Sequence, residues 1–184
     1  MIFCCLLSGC QSPPTPPPVE TSATDATRNN CYSLLHQLLD EEKDVSMLRF
    51  IKRENADLKT LIKKVATTAG TAASRLEHYA KEDHSIILDD FRLPPGEDKT
   101  RKSIGAAKEK ELLHHAGDTF EVILLLTQVE ALNYASHLAK VGGENDFQSE
   151  RARYLARLSA EMQSLHDEVV ARLALRHVLP PLGH

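Results

Sequence analysis

Apolar residues recur along the chain in steps of three and four, and the longest such run lies in the first half. Leu48, Ile51, Asn55, Leu58, Ile62, Val65, Ala69, Ala72, Leu76 and Tyr79 form a heptad seam without a slip. That spacing keeps one narrow stripe of a helix turned toward a partner. The period-two alternation of β-branched residues that marks strands is missing. Asp44 is the expected start of this helix and residue 84 its approximate end. Run as one rod, residues 44–84 would span about 62 Å. The stripe thins to alanine around Gly70, which predicts close helix approach or a bend there.

Shorter patterns flank it. A first helix is expected from about Asn30 to Glu41, with Leu34, Leu35, Leu38 and Leu39 on one side. Phe91 to Glu97 contains Pro94, Pro95 and Gly96 and breaks the pattern. Asp98 to Ala116 is helical again but weakly apolar, carried by Ile104, Ala107, Leu112 and Leu113. Gly117 suits a left-handed position, and Asp118 to Glu121 has capping-box spacing. The next seam then reads Phe120, Leu124, Thr127, Ala131, Tyr134, Leu138 and Val141, ended by Gly142-Gly143. Asn145-Asp146 offers a cap for a last helix running to about His177. It carries Leu155, Leu158, Met162, Leu165, Val169 and Leu173, with Glu150, Arg153, Arg157, Glu161, Glu168 and Arg172 on a solvated opposite face.

Each stripe is too narrow to hold a helix alone, so the seams need one another. The expected fold is all-α, an antiparallel helical bundle joined by short loops. It is either a compact four-helix bundle with a bend near Gly70 or an elongated one containing the 44–84 rod. Aromatics at 5% and the lack of tryptophan agree with helices. The net charge of −4 comes from interleaved signs. That arrangement offers no basic face for nucleic acid and no polybasic grip on anionic lipid.

The N-terminus differs from the rest. Residues 2–7 are wholly apolar and lead into Leu7-Ser8-Gly9-Cys10; Gln11 to Pro18 follows, rich in proline. Proline-rich sequence without apolar periodicity reads as a solvated spacer. The expected organisation is a truncated signal at 1–10, a flexible spacer at 11–28, the bundle at 29–178 and a tail at 179–184. No run approaches the ~20 apolar residues that cross a bilayer.

Leu7-Ser8-Gly9-Cys10 resembles the lipobox of bacterial lipoproteins. The resemblance implies a diacylglyceryl thioether and an N-acyl chain on Cys10, hence membrane attachment, since several acyl chains anchor where one does not. Gln11 beside Cys10 implies the outer membrane, facing the periplasm. A signal carries a basic segment, and none of the nine residues before Cys10 is basic. The expectation is a start upstream or a late start codon; the competing reading is a soluble chain with an apolar N-terminus. From Leu93 onward, Leu93-Pro94, Gly117 to Glu121 and Gln128-Val129, with Asp83-His84 before them, the layout is similar to a ferritin-like helical family. That family, of unknown function, occurs in predicted bacterial outer-membrane proteins. The likeness implies a ferritin-like up-and-down bundle. Leu132 departs from it, standing about where the family tends to carry a histidine.

Candidate chemistry is sparse. Di-iron bundles supply two Glu-x-x-His motifs plus further glutamates. Here there is one, Glu111 to His114, with Glu130, His137 and His166 as possible additions for iron or another divalent metal. His114 and His115 have a competing explanation as cations at a helix C-terminus. Asn55 suits a register-setting amide, Thr127 a back-bond to its own helix, and Tyr134 a rim position. Cys4 and Cys5 would leave with the signal and Cys10 would be acylated, which makes Cys31 the one free thiol. It is either buried or available for an intermolecular disulfide. With no nucleophile elbow, phosphate loop or haem motif, the expectation is a non-enzymatic binding or structural module. The alternatives are a metal- or oxidant-handling bundle and a coiled-coil adaptor whose seams bind a protein partner or a second copy.

Overall fold

The computed structural model describes residues 22–45 and 56–176, and within them the chain is all-α. Five helices are described: α1 Ala23–Lys43, α2 Ala56–Glu82, α3 Pro95–His114, α4 Gly117–Glu144 and α5 Ser149–Arg176. Leu48, Ile51 and Asn55, the N-terminal segment with Cys10, and His177 onward lie outside the described residues.

α1 starts seven residues ahead of the expected Asn30, inside the stretch assigned to spacer. Ser22 caps it: its hydroxyl accepts from the Asp25 amide at 3.1 Å, which satisfies one of the helix's orphan donors. Leu34, Leu35 and Leu39 are buried and Leu38 partly so, as the pattern predicts. Asp44 is the C-cap of α1, and helical backbone resumes at Val45, directly after the expected Asp44 start. α2 runs unbroken through Gly70, with Leu58, Ile62, Val65, Ala69, Ala72, Leu76 and Tyr79 all buried. The heptad reading of these residues holds.

Contacts between the helices fix their directions. Lys43 lies against Gly70 and His36 against Glu77, so α1 and α2 are antiparallel. Cys31 meets Gly142 and Glu42 meets Gln128, so α4 runs antiparallel to α1. Ser136 meets Ser159 and Glu121 meets Arg172, so α5 runs antiparallel to α4. Tyr79 stacks edge-on against Tyr154 and Asp57 pairs with Arg172, which closes the ring from α5 to α2. The four-helix bundle is therefore α1, α2, α5, α4 around the ring. Its core is aliphatic, built on residues such as Leu35, Leu76, Leu125, Leu155 and Val169.

Short loops do not join all of it. α2 and α4 sit diagonally and point the same way, so the chain must cross back between them, and residues 83–94 followed by α3 make that crossover. One long crossover therefore joins two hairpins. The strap at 83–94 is held by α1: Ser33 Oγ donates to the Ile87 carbonyl at 2.9 Å and accepts from the Asp90 amide at 2.9 Å. Arg28 donates to the Ser85 carbonyl at 3.2 Å, and Asn30 donates to the Asp90 carbonyl at 3.3 Å. Arg28, Asn29 and Ser33 are buried for this reason. Backbone outside regular structure must find partners when covered, and polar side chains of α1 provide them.

α4 corrects two expectations. It passes through Gly142-Gly143 and ends at Glu144. The glycines serve packing: a Cβ on Gly143 would stand 3.2 Å from both the Ala152 carbonyl oxygen and Leu155 Cβ, and one on Gly142 3.3 Å from Cys31 Cβ. Its buried stripe takes in Phe120, Leu124 and Leu138 as expected but otherwise turns away from the expected seam. Leu125, Gln128, Leu132, Ala135 and Ala139 are buried, whereas Thr127, Ala131 and Tyr134 are half-buried and Val141 is exposed. Gly117 has the expected positive φ of 61°. The N-cap is Ala116, which makes no side-chain cap bond, and Glu121 turns inward, where it accepts from Arg172 Nε of α5 at 2.9 Å. Arg172 is accordingly half-buried and not on a solvated face, while Leu155, Leu158, Met162, Leu165 and Val169 of α5 are buried as the pattern predicts.

Candidate functional site

α3 lies against the bundle more loosely than the rest. Of its 20 residues only Leu112 is buried, and Ile104 and Leu113 are each 49% exposed. Between α3, α1 and α4 this leaves a cleft of about 700 Å³. Leu34, Leu38 and Leu112 give it an apolar wall, while Glu42 and Gln128 bring polar groups to it.

Gln128 is buried in the α1–α4 interface, and its Nε2 donates to Glu42 Oε2 at 2.8 Å. The amide's other end is orphaned: Gln128 Oε1 is buried and has no hydrogen-bond partner. Burial pushes the Glu42 carboxyl up to about 7, against the opposing pull of the Gln128 hydrogen bond. The cations at the rim are already engaged. Arg101 donates to Glu97 at 2.7 Å and to the Tyr134 hydroxyl at 2.9 Å, Lys102 to Asp98 at 2.9 Å, and Lys108 pairs with Glu130. Such a cleft can accept hydrogen bonds at its wall and bury an apolar body. Among the described residues that line it, no nucleophile is paired with a base.

A second polar cluster closes the opposite end of the bundle. Asp146, buried, accepts from Tyr32 Oη at 2.8 Å, from the Gln148 amide at 2.8 Å and from Arg151 through Nε at 2.8 Å and Nη2 at 3.0 Å. Arg151 Nη1 reaches Asp83 Oδ2 at 2.7 Å, which ties the start of α5 to the end of α2. Hydrogen bonds from Ser85, with help from Arg151, hold the Asp83 carboxyl down at about 2. Burial and the Asp146 hydrogen bond push the Tyr32 phenol up. Donors and acceptors here are matched, and the cluster reads as a structural clasp.

The residues expected to ligate metal are not gathered into one site. Glu111, His114, Glu130 and His137 are exposed and His166 is half-buried. Glu130 belongs to Lys108, His114 Nδ1 faces the Lys110 carbonyl at 2.7 Å, and His166 Nδ1 faces Asp167 at 3.1 Å. Among the described residues, the donors that do converge are His36, Asp40 and Glu77. Cys31 is buried and free, with its thiol pushed up by burial. Thr127 bonds back to the Leu124 carbonyl at 2.7 Å, and Tyr134 sits at the cleft rim beneath Arg101.

Nothing in the local pattern marks Asp146 or Arg151 as buried or Glu42 as half-buried, and Gln128 enters only through the family likeness. The available signal for Gln128 is its place four residues from both Leu124 and Leu132, a polar residue inside an apolar stripe. No family model, curated protein or solved structure matches the chain.

Proposed function

We propose that the chain is a lipid-anchored envelope protein whose bundle is a non-enzymatic binding module, with the cleft beside α3 as the seat of its ligand. The observation that carries the binding half is the Gln128 carbonyl oxygen, buried without a partner in a residue that lines the cleft. An orphaned buried acceptor costs about 1–3 kcal/mol, which a ligand donor recovers once the Gln128 amide turns toward the cleft. Glu42 adds a second acceptor when ionised, and the rim cations already have carboxylate or hydroxyl partners. The ligand class is therefore an amphipathic molecule with a donor head, ammonium or hydroxyl, and an apolar body that lies along Leu34, Leu38 and Leu112.

The non-enzymatic reading draws support from the interior. Its buried carboxylates, Asp146 and Glu121, are each held by an arginine and do not face one another across a cavity. The anchor rests on Leu7-Ser8-Gly9-Cys10 and the proline-rich residues after it. An anchor of that kind implies the bacterial envelope, at the periplasmic face of the outer membrane.

Two experiments test the two halves. In a bacterial host the full chain sediments with membranes until detergent is added, and Cys10→Ala moves it to the soluble fraction; retention of the variant on membranes overturns the anchor. For the cleft, n-octylamine and n-octanol bind the purified protein and n-octanoate does not. Gln128→Leu weakens the two binders at least tenfold. Equal binding of octanoate, or binding indifferent to Gln128, overturns the cleft.

A further inference from the structure

His36 and Asp40 are one helical turn apart on α1 and share a face. Glu77 reaches that face from α2, with its Oε1 3.3 Å from His36 Nε2. One ligand atom from each residue lies within 4.8 Å of the other two. The side chains are partly covered, at 21% exposure for His36, 43% for Glu77 and 46% for Asp40. Water and an incoming ion can therefore reach them.

We propose that His36, Asp40 and Glu77 form a divalent transition-metal site that staples α1 to α2, with zinc as the best fit. One imidazole nitrogen and two carboxylates make a mixed N/O set. Bond lengths near 2.0–2.2 Å put tetrahedral ligands about 3.3 Å apart. His36 and Glu77 already stand at that separation, and Asp40 closes the rest by rotamer change. The two carboxylates neutralise a divalent charge, and water fills the open position. Calcium and magnesium prefer all-oxygen shells and are disfavoured by the imidazole. The site is separate from the aliphatic interior of the bundle and from the cleft beside α3, so it does not depend on the binding reading.

The resident competitor is Lys43, whose ammonium pairs with Asp40. Zinc must displace it, so Lys43 sets the affinity although it is not a ligand. This gives a signature that a merely structural histidine–carboxylate contact would not produce.

The test uses the untagged full chain, titrated with Zn²⁺ against a chromophoric chelator. One ion binds per chain with micromolar affinity or better, and thermal unfolding moves upward with zinc, since the ion binds the folded state. His36→Ala and Glu77→Gln each weaken binding at least tenfold and abolish the thermal shift, whereas Lys43→Ala tightens binding severalfold. Far-UV circular dichroism verifies that the three variants are folded. Undiminished uptake by His36→Ala places the ion elsewhere and overturns the proposal, as does wild-type protein that takes up no zinc below millimolar concentration. Weaker binding in Lys43→Ala also counts against it.

Discussion

Glu42 and Gln128 meet across the α1–α4 interface through a single 2.8 Å hydrogen bond, and the same amide leaves its carbonyl buried and unanswered. Burial raises the Glu42 carboxyl from its ordinary 4.5 to about 7, so between those values the folded chain holds a proton that the unfolded chain has released. The native state binds more protons in that window, and stability therefore falls as pH rises through it and levels off above. Glu42→Gln removes the fall. In urea unfolding the variant matches the parent near pH 4 and exceeds it at pH 8 by up to roughly 3 kcal/mol.

Arg151 is the shared partner of Asp146 and Asp83. Arg151→Met leaves a buried carboxylate without its cation, a change that costs roughly 3 kcal/mol or more. Adding Asp146→Asn removes the stranded charge and restores part of the loss. Denaturant midpoints of the two variants measure this, and a double variant no more stable than the single one refutes the clasp.

Two glycines in helices give opposite signs. Gly105 on α3 has nothing within 4 Å of the place a Cβ would take, so Gly105→Ala stabilises by up to about 1 kcal/mol through helix propensity alone. Gly143 abuts the Ala152 carbonyl oxygen and Leu155 Cβ, both rigidly held. Gly143→Ala forces α4 and α5 apart and lowers stability by about 1 kcal/mol net. Thermal melts of the pair decide the sign.

Cys31 is 6% exposed, and burial keeps its thiol protonated. Its alkylation by iodoacetamide should therefore proceed only in denaturant, and non-reducing electrophoresis should show no dimer linked through Cys31.

The helices were legible in sequence where one apolar stripe dominated. The seam from Leu58 to Tyr79 and the stripe from Leu155 to Val169 lie in the core as their spacing predicts. Misreadings arose where polar residues are buried. Arg28 falls in the expected spacer and Asn29 and Ser33 carry no local signal, yet all three serve the backbone of the 83–94 strap, a partner more than fifty residues away. Gln128 interrupts the stripe of α4 and turned the expected seam toward Thr127 and Tyr134. Gly142-Gly143 reads locally as a stop; the reason for it is the neighbouring surface of α5 and Cys31 of α1, which no local window contains. The cleft was invisible for the same reason, since Glu42 and Gln128 are 86 residues apart.

α3 fastens to the bundle with a single buried leucine, Leu112, plus side-chain pairs along its solvent edge. Lifting it away exposes little more than that one aliphatic group, about 2 kcal/mol of transfer free energy. The ring of α1, α2, α4 and α5 survives the event intact. Amide protons of α3 beyond Pro95 should thus trade with deuterium orders of magnitude sooner than those of the ring, and the molecule opens at one edge long before it melts.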